Sequence, residues 1–228
     1  MSALHLSSVT VFRPVSGSKG SRDSGPKTPV IDSVTLTIEQ GERVGILGRN
    51  GAGKTTLLRI LAGIFTPSTG SAVVDSDTAT ILDTGFGIEP WLSGRENAVS
   101  RLVLTGVPRA QHAEILHDLE LFLDLGPYFD KPTRTYSTGM LTRLVFGLAT
   151  VRKHSLLIVD EGFGTVDDQF QRGAWQRLNT IIGEGTTVVM ASHNLDQLRE
   201  HCIRGVVLSR GKIAIDTDIN AAIDYYLS

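Results

Sequence analysis

The chain has 228 residues, of which 41% are hydrophobic and 20% are charged, a composition that indicates a folded globular protein and excludes a disordered one. Its 22 basic and 24 acidic residues leave a formal net charge of -2, so the sequence gives no reason to expect nucleic acid as a partner. A single cysteine excludes an internal disulfide, and no stretch approaches the roughly 18–20 apolar residues of a membrane-spanning helix.

The first part of the chain is predicted to contain two strands and a strand–loop–helix unit. β-branched residues and partial alternation indicate strands at 3–12 and 30–38, with a polar loop rich in Gly, Ser and Pro between them. A short apolar run at 43–47 indicates a buried strand that leads into a glycine-rich turn. The helix expected after that turn has four apolar residues at helical spacing: Leu57, Leu58, Ile60 and Leu61.

The remainder of the chain alternates helical and buried-strand patterns. The predicted elements are two short strands within 71–82, a helical segment at 90–151 with breaks at Gly106 and Gly126, strands at 155–160 and 186–192, a hairpin at 205–216 that turns at Arg210-Gly211, and a helix at 218–227. This order predicts an α/β core with a parallel sheet and an inserted helical lobe.

The strongest functional signal is GRNGAGKT, which matches the phosphate-loop pattern G-x-x-x-x-G-K-[ST] between a predicted strand and a predicted helix. Its glycines allow the backbone to wrap around phosphates, Lys54 supplies a positive charge, and Thr55 offers a hydroxyl to Mg²⁺. The alternative is a glycine-rich turn that only connects strand and helix. The predicted nucleotide-binding residues are Gly48, Arg49, Asn50, Gly51, Ala52, Gly53, Lys54, Thr55 and Thr56.

A second signal is the apolar segment LLIVDE, which ends in Asp160 and Glu161. A buried strand delivers both carboxylates to its C-terminal end, where open α/β sheets bind ligands. Asp160 is expected to hold Mg²⁺ through water, and Glu161 is expected to polarise the attacking water. The alternative is a strand that ends in a solvated acidic turn. Together, the two motifs indicate a P-loop NTPase, with Mg²⁺ held by Thr55 and Asp160, but not which kind of NTPase.

Shorter motifs resemble those of the ATP-binding cassette (ABC) ATPase family, in the order and spacing of that family. Tyr136-Ser137-Thr138-Gly139-Met140 resembles the signature loop, and Gly164-Thr165-Val166-Asp167 resembles the D-loop. Ser192-His193 resembles the switch histidine, and Phe12 stands where the family has an aromatic residue that stacks on adenine. The resemblance extends over nearly the whole chain.

Each shorter motif has a plainer interpretation when it is taken alone. Ser137 is a common helix N-cap, and Asp167 is compatible with a solvated turn. His193 is compatible with a surface or capping histidine, and Phe12 with a core residue. The order of the motifs along the chain, rather than any one of them, therefore carries the resemblance.

Departures from the general family pattern indicate a subfamily. Thr138 and Met140 replace the usual Gly and Gln, and no glutamine is present near Asp83, where the family has its Q-loop; Asp83 is a weak substitute. YSTGM, the GFG-x-x-P-x-LSGREN stretch and the late Asp-Tyr-Tyr resemble ATPases that export bacterial capsule, O-antigen or teichoic acid. Some of these carry an additional C-terminal carbohydrate-binding domain, and a chain that ends at Ser228 is expected to be the short form.

The resemblance implies a single nucleotide-binding domain over 1–228, with a RecA-like parallel-sheet core at 1–89 and 152–228, an antiparallel β subdomain, and a helical lobe at about 90–151. It implies a head-to-tail dimer of two copies, with ATP between Gly48–Thr55 of one copy and Ser137–Gly139 of the other. Glu161 and His193 would be catalytic, Asp167 and Phe12 would contact nucleotide, and Thr55 and Asp160 would hold Mg²⁺. The expected location is the cytoplasmic face of the bacterial inner membrane, bound to a polytopic ABC-2-like permease.

Three alternatives stay open from the sequence. The chain could power another class of ABC exporter, for a drug, a lipid or a peptide such as a lantibiotic. It could be a soluble ABC protein that acts on nucleic acid or ribosomes, although it has one cassette and no heptad run. It could be an unrelated P-loop kinase or GTPase, although no N-K-x-D guanine motif is present.

Overall fold

The computed structural model describes residues 2–12, 28–74, 77–82, 87–160 and 166–228. Contacts divide the chain into two compact units. The first, called the sheet unit, comprises 1–78, 155–160 and 187–228; the second, called the helical unit, comprises 79–154 and 161–186. The predicted division into a core at 1–89 and 152–228 and a lobe at about 90–151 stays a prediction. Most of the polar loop predicted after the first strand lies outside the described residues.

The described residues begin with three strands, contain consecutive helices in the middle of the chain, and then alternate strands and helices up to a last hairpin and helix. The strands are β1 (Ser2–Phe12), β2 (Pro29–Glu39), β3 (Arg43–Leu47), β4 (Thr69–Val74), β5 (Thr78–Ile81), β6 (Leu156–Asp160), β7 (Thr187–Ala191), β8 (Arg204–Ser209) and β9 (Lys212–Asp218). The helices are α1 (Lys54–Leu61), α2 (Gly94–Leu104), α3 (His112–Leu123), α4 (Thr138–Ala149), α5 (Asp168–Gly183), α6 (Leu195–His201) and α7 (Ile219–Leu227). Within the described parts of the chain, no helix combines the length and the apolar character that crossing a membrane requires.

The sheet unit contains a parallel sheet in which β6, β7, β3 and β8 are neighbours in that order. Strand β9 extends it antiparallel to β8 through a hairpin that turns at Arg210-Gly211, as the sequence predicts. The strands β3, β6 and β7 are almost entirely buried, which explains their continuous apolar sequences. Helix α1 packs with Leu57, Leu58, Ile60 and Leu61 fully buried, and each contributes about 1.5–3 kcal/mol by leaving water.

A separate antiparallel sheet in the same unit has the order β2-β1-β4. From Val34 to Glu39 of β2, buried residues alternate with exposed or half-buried ones, as period-2 patterning requires. Arg204 of β8 connects the two sheets, because its guanidinium donates to the Thr37 carbonyl of β2 at 3.0 Å and to Glu42 at 2.9 Å. The same group pairs with Asp216 on β9 at 2.6 Å. The predicted α/β fold with a parallel core sheet and an antiparallel β subdomain is confirmed.

The helical unit is built around α2, α3 and α4. Helix α2 begins with a reciprocal capping box, in which Ser93 Oγ accepts from the Glu96 amide at 3.1 Å and Glu96 accepts from the Ser93 amide at 2.7 Å. Caps of this kind contribute about 1 kcal/mol. The core of the unit is a cluster of buried apolar side chains: Ala98, Leu102, Leu119, Leu123, Leu125, Phe129, Tyr136, Leu144, Leu148 and Val151.

Two helices are present that the sequence patterns did not indicate. Helix α5 fully buries only Phe170, Ala174 and Leu178 among its 16 residues, about one per turn, and most of its other residues are polar. Helix α6 has seven residues, which is shorter than the window that periodicity requires. Its N-cap is Asn194, whose side chain accepts from the amide of Asp196 at 3.0 Å.

Candidate functional site

The glycine-rich segment between β3 and α1 forms a tight loop against the rest of the sheet unit. Gly53 has a φ of 108°, and a Cβ at this position would lie 2.9 Å from the carbonyl oxygen of Val30. A Cβ on Gly48 would lie 2.7 Å from the carbonyl oxygen of Leu208. Both separations are too short for a side chain, so the loop needs glycine at these positions. The backbone at its end leads directly into the N-terminus of α1, where amides and the helix dipole favour an anion.

Lys54 lies over this loop at the first position of α1. Its Nζ donates to the carbonyl oxygen of Gly48 at 2.8 Å, and the side chain is half-buried. The ammonium is therefore held on the same side as the loop that the sequence predicts to wrap phosphate. A compact positive charge at this point can hold a phosphate group.

Thr55 and Asp160 are brought into direct contact, although 105 residues separate them in sequence. The Thr55 hydroxyl donates to Asp160 Oδ2 at 3.1 Å, from the first turn of α1 to the last residue of β6. These are hard oxygen groups of the kind that Mg²⁺ prefers. The pair therefore fits Mg²⁺ with the remaining positions left to phosphate and water. Among the described residues, no group of three or more His, Cys, Asp or Glu side chains could hold a metal by itself.

The strand register explains why these groups meet. Ile46, Ala191 and Asp160 form one row across β3, β7 and β6, so the loops that follow the three strands leave the same edge of the sheet. His193 follows β7 at this edge and is exposed. Ser192 holds the turn, since its Oγ accepts from the Asn194 amide at 3.1 Å and donates to Gln197 at 3.1 Å. The structure thus brings Gly48–Thr55, Asp160 and His193 to one edge.

Phe12 lies near the loop, at the end of β1. It pairs in register with Pro29, and the next residue, Val30, is the one whose carbonyl approaches Gly53. The Phe12 side chain is half-buried rather than fully buried. This environment is compatible with an aromatic face beside a nucleotide and also with the plainer interpretation as a partly buried core residue.

In the helical unit, Ser137 is the N-cap of α4. Its Oγ accepts from the Met140 amide at 3.2 Å, and the residue is exposed. The hydroxyl therefore shapes the helix start and still faces solvent together with the first amides of α4, a combination that suits an anion. Thr138 and Gly139 form the first turn of the helix. The plainer interpretation of Ser137 as a cap and the proposed nucleotide contact are compatible.

Asp167 is the N-cap of α5 and is held by a partner that sequence reasoning missed. Its Oδ1 accepts from the Phe170 amide at 3.0 Å, and its Oδ2 forms an ion pair with Arg143 of α4. The hydrogen bond from Phe170 and then the guanidinium of Arg143 hold the pKa of Asp167 below its usual range. The only sequence signal for Arg143 was a basic residue one turn after Gly139 on a predicted helix.

Ser137 and Asp167 line the same cleft in the helical unit, with a volume of about 320 Å³. Tyr128, Gly139, Met140 and Arg143 also line it. Two predicted site features, Glu161 and the Q-loop substitute Asp83, lie outside the described residues, as do Gly164 and Thr165 of the D-loop.

Comparisons with known proteins agree with the motifs. The family profile described as "ABC transporter" matches residues 31–164, which is more than half of the chain. The O-antigen export system ATP-binding protein RfbE of Yersinia enterocolitica is 38% identical over 194 residues, which cover 85% of this chain and 81% of that protein. The teichoic acids export ATP-binding protein TagH of Bacillus anthracis is 29% identical over 196 residues, 86% of this chain and 36% of that longer protein.

A solved structure has the same fold. It is a dimeric ATP-binding cassette in a post-hydrolysis state with ADP and phosphate, with a TM-score of 0.77 and 20% identity. The alignment covers 95% of this chain and 98% of that one. At this level of identity the likeness concerns the fold alone.

Proposed function

Since this chain belongs to the ABC transporter family, we propose that it is the ATPase subunit of an exporter that moves a surface polysaccharide or a lipid-linked glycan through a separate membrane permease. The observation that carries the proposal is 38% identity along 81% of the length of an O-antigen export ATP-binding protein. A relative named for teichoic acids export supports the same class of cargo. Family membership is incompatible with the P-loop kinase and GTPase alternatives.

The subunit is proposed to work as a head-to-tail pair of copies. ATP would lie between the loop that carries Lys54 in one copy and the N-terminus of α4, capped by Ser137, in the other. The exposed amides and hydroxyl at that helix start support this arrangement, because they offer donors to a terminal phosphate. ATP would then hold the pair together, and hydrolysis would remove the charge that the second copy binds.

The proposed roles of the other site residues depend on their positions at or near the edge of the parallel sheet. Mg²⁺, where bound, would neutralise phosphate charge, and the contact between Thr55 and Asp160 supports its placement there. His193 is proposed to contact the γ-phosphate, Glu161 to accept the proton of the attacking water, and Phe12 to stack on adenine. The pair would act at the cytoplasmic face of the membrane, bound to a polytopic ABC-2-like permease.

Ser137→Arg is expected to prevent ATP-driven pairing while each copy still binds ATP. The large cation would fill the cleft where the partner's phosphate is proposed to enter, yet Lys54 lies in the other unit and is unaffected. Sedimentation with ATP and Mg²⁺ measures the pairing, and a fluorescent ATP analogue measures binding to the single copy. Thr135→Arg serves as the matched control, because Thr135 is also exposed and lies two residues earlier in the sequence. This variant should still form dimers with ATP. Normal ATP-dependent dimers of the Ser137 variant would exclude the proposed trans contact.

Asp160→Asn is expected to raise the Mg²⁺ concentration needed for half-maximal ATPase activity by about tenfold or more, because an amide is a weaker ligand than a carboxylate. ATPase rates across a Mg²⁺ titration measure this shift. Asp216→Asn removes a carboxylate that pairs with Arg204 in the same unit, and it should leave the Mg²⁺ requirement unchanged. Superimposable Mg²⁺ curves for the parent and the Asp160 variant would rule out a role of this carboxylate in metal binding.

Co-purification from membranes tests the cargo and the permease. The chain is extracted with its membrane partner, the partner is identified, and ATPase activity is compared with and without it. Loss of the chain should cause glycan to accumulate inside the cell, and a variant without hydrolysis should not restore export. A partner that exports a drug, lipid or peptide, with normal surface glycan, would contradict polysaccharide export and favour another ABC exporter. Stable association with ribosomes instead of a permease would favour the soluble alternative.

A further inference from the structure

Arg143, on the second turn of α4, contacts two other segments of the helical unit, the end of α3 and the start of α5. Its Nη1 donates to the carbonyl oxygens of Leu123 at 3.0 Å and Asp124 at 3.3 Å, at the end of α3. Its Nη2 forms the ion pair with Asp167. The guanidinium lies over the ring of Phe170, 5.1 Å from the centroid, and only 19% of the Arg143 side chain is exposed.

These contacts connect the starts of α4 and α5, in addition to the ring contact between Phe146 of α4 and Phe170 of α5. Ser137 caps α4 through the Met140 amide, and Asp167 caps α5 through the Phe170 amide. Arg143 lies on α4, six residues after Ser137, and binds the cap of α5 while it is anchored on the end of α3. A planar guanidinium holds five N–H donors in a fixed fork, so it can satisfy carbonyls and a carboxylate at the same time.

We propose that Arg143 is a positioning residue that fixes Ser137 and Asp167 relative to each other, so that both reach the partner copy's nucleotide in one step. The proposal rests on the head-to-tail pairing of copies proposed above and adds a residue to it. Both groups line one cleft with Arg143 at its wall, so a change in this side chain alters their spacing directly. Misplacement of binding groups by about 1 Å is enough to lower a rate by as much as ~10²-fold.

Arg177 on α5 provides a matched control within the same unit. It pairs with Asp118 at 2.8 Å, donates to the Thr150 carbonyl, and lies 4.7 Å from the centroid of the Phe122 ring. Its side chain is 20% exposed, against 19% for Arg143. The two arginines therefore contribute the same kinds of contact to the fold, but Arg177 does not line the cleft formed by Ser137 and Asp167.

The test compares Arg143→Gln with Arg177→Gln in the full chain. We expect both variants to lower the thermal midpoint by similar amounts. Arg143→Gln should also lower kcat for ATP about tenfold or more, with KM within about twofold of the parent, because the cis loop is intact. Arg177→Gln should keep kcat close to the parent value. An equal loss of kcat in both variants would show that Arg143 only stabilises the unit, and it would overturn the proposal.

A double-mutant cycle with Asp167→Asn tests whether Arg143 acts through Asp167. Asparagine is as good an N-cap as aspartate, so this change mainly weakens the ion pair. If the proposal is correct, kcat of the double variant is no lower than that of the worse single variant. Losses that multiply would mean that the two residues act independently, and this result would overturn the positioning role.

Hydrogen exchange on the nucleotide-free single copy separates this proposal from the pairing proposal. Arg143→Gln should increase exchange at the amides of Met140 and Phe170 together, whereas Arg177→Gln should not. Unchanged exchange at both amides would overturn the Arg143 link, whatever the dimer does. If Ser137→Arg pairs normally with ATP, the pairing proposal fails on its own, and increased exchange in the Arg143 variant still supports the link within one copy.

Discussion

Lys54→Ala is expected to weaken ATP binding by roughly a hundredfold or more, since more than one charge-assisted contact to phosphate is lost. The Lys54 ammonium is held 2.8 Å from the Gly48 carbonyl, directly over the loop that is proposed to wrap the phosphates. Removing it takes away the positive charge there but leaves the four buried apolar residues of α1 in place. The variant should therefore fold. A titration of the purified chain with a fluorescent ATP analogue measures the change.

Lys212→Ala is the matched control for this prediction. Lys212 also belongs to the sheet unit, pairs with Asp32 at 3.1 Å, and has a side chain that is 66% exposed. Its removal changes the net charge by the same amount, and ATP affinity should stay at the parent value. Equal ATP affinity in the Lys54 variant and the parent would remove Lys54 from the phosphate site.

Glu161→Gln is expected to lower ATP turnover by about 10²–10⁴-fold, the contribution of a general base. Glutamine has nearly the same size but cannot accept the proton of the attacking water. ATP binding should persist, and because the terminal phosphate is not released, dimers should accumulate with ATP. Phosphate release measures the turnover, and sedimentation measures the dimers.

The control for the glutamate is Glu184→Gln. The Glu184 side chain is 54% exposed and lies 4.0 Å from the Lys153 ammonium, outside every candidate contact to nucleotide. This variant should hydrolyse ATP at the parent rate. Parent-like turnover in the Glu161 variant would mean that another group activates the water.

The predictable parts of the fold are those whose local sequence pattern is compatible with one structure alone. The apolar runs of β3, β6 and β7 are buried on both faces, and the loop before Lys54 joins a strand to a helix as its motif requires. Helix α5 was not predicted: its fully buried residues Phe170, Ala174 and Leu178 do recur at helical spacing, but they supply only about one buried side chain per turn. Of its other apolar residues, Trp175, Ile181 and Ile182 are only half-buried, and the stability of the helix depends on packing that local sequence does not reveal.

The candidate site divides in the same way. The contact between Thr55 and Asp160 follows from sequence, since carboxyl ends of parallel strands meet at one edge and both residues belong to motifs. The ion pair between Arg143 and Asp167 does not follow from sequence. The pair joins α4 to the start of α5, and the packing of these two helices determines which basic side chain reaches the Asp167 carboxylate. Nothing in the local sequence distinguishes Arg143 from the other arginines of the chain.

Strand β3 lies between β7 and β8, both of which come much later in the sequence. The parallel sheet therefore cannot form around β3 until late in translation. After Leu47, 140 further residues, up to and including Thr187, must be synthesised before β3 has its first partner. At about 5–20 residues per second this takes roughly 7–28 s, during which the apolar strand and the phosphate loop have no backbone to pair with. A ribosome-bound chain shorter than about 190 residues therefore contains the loop with Lys54, but it lacks the strand β7 that pairs with β3 and completes the sheet edge proposed to hold the nucleotide.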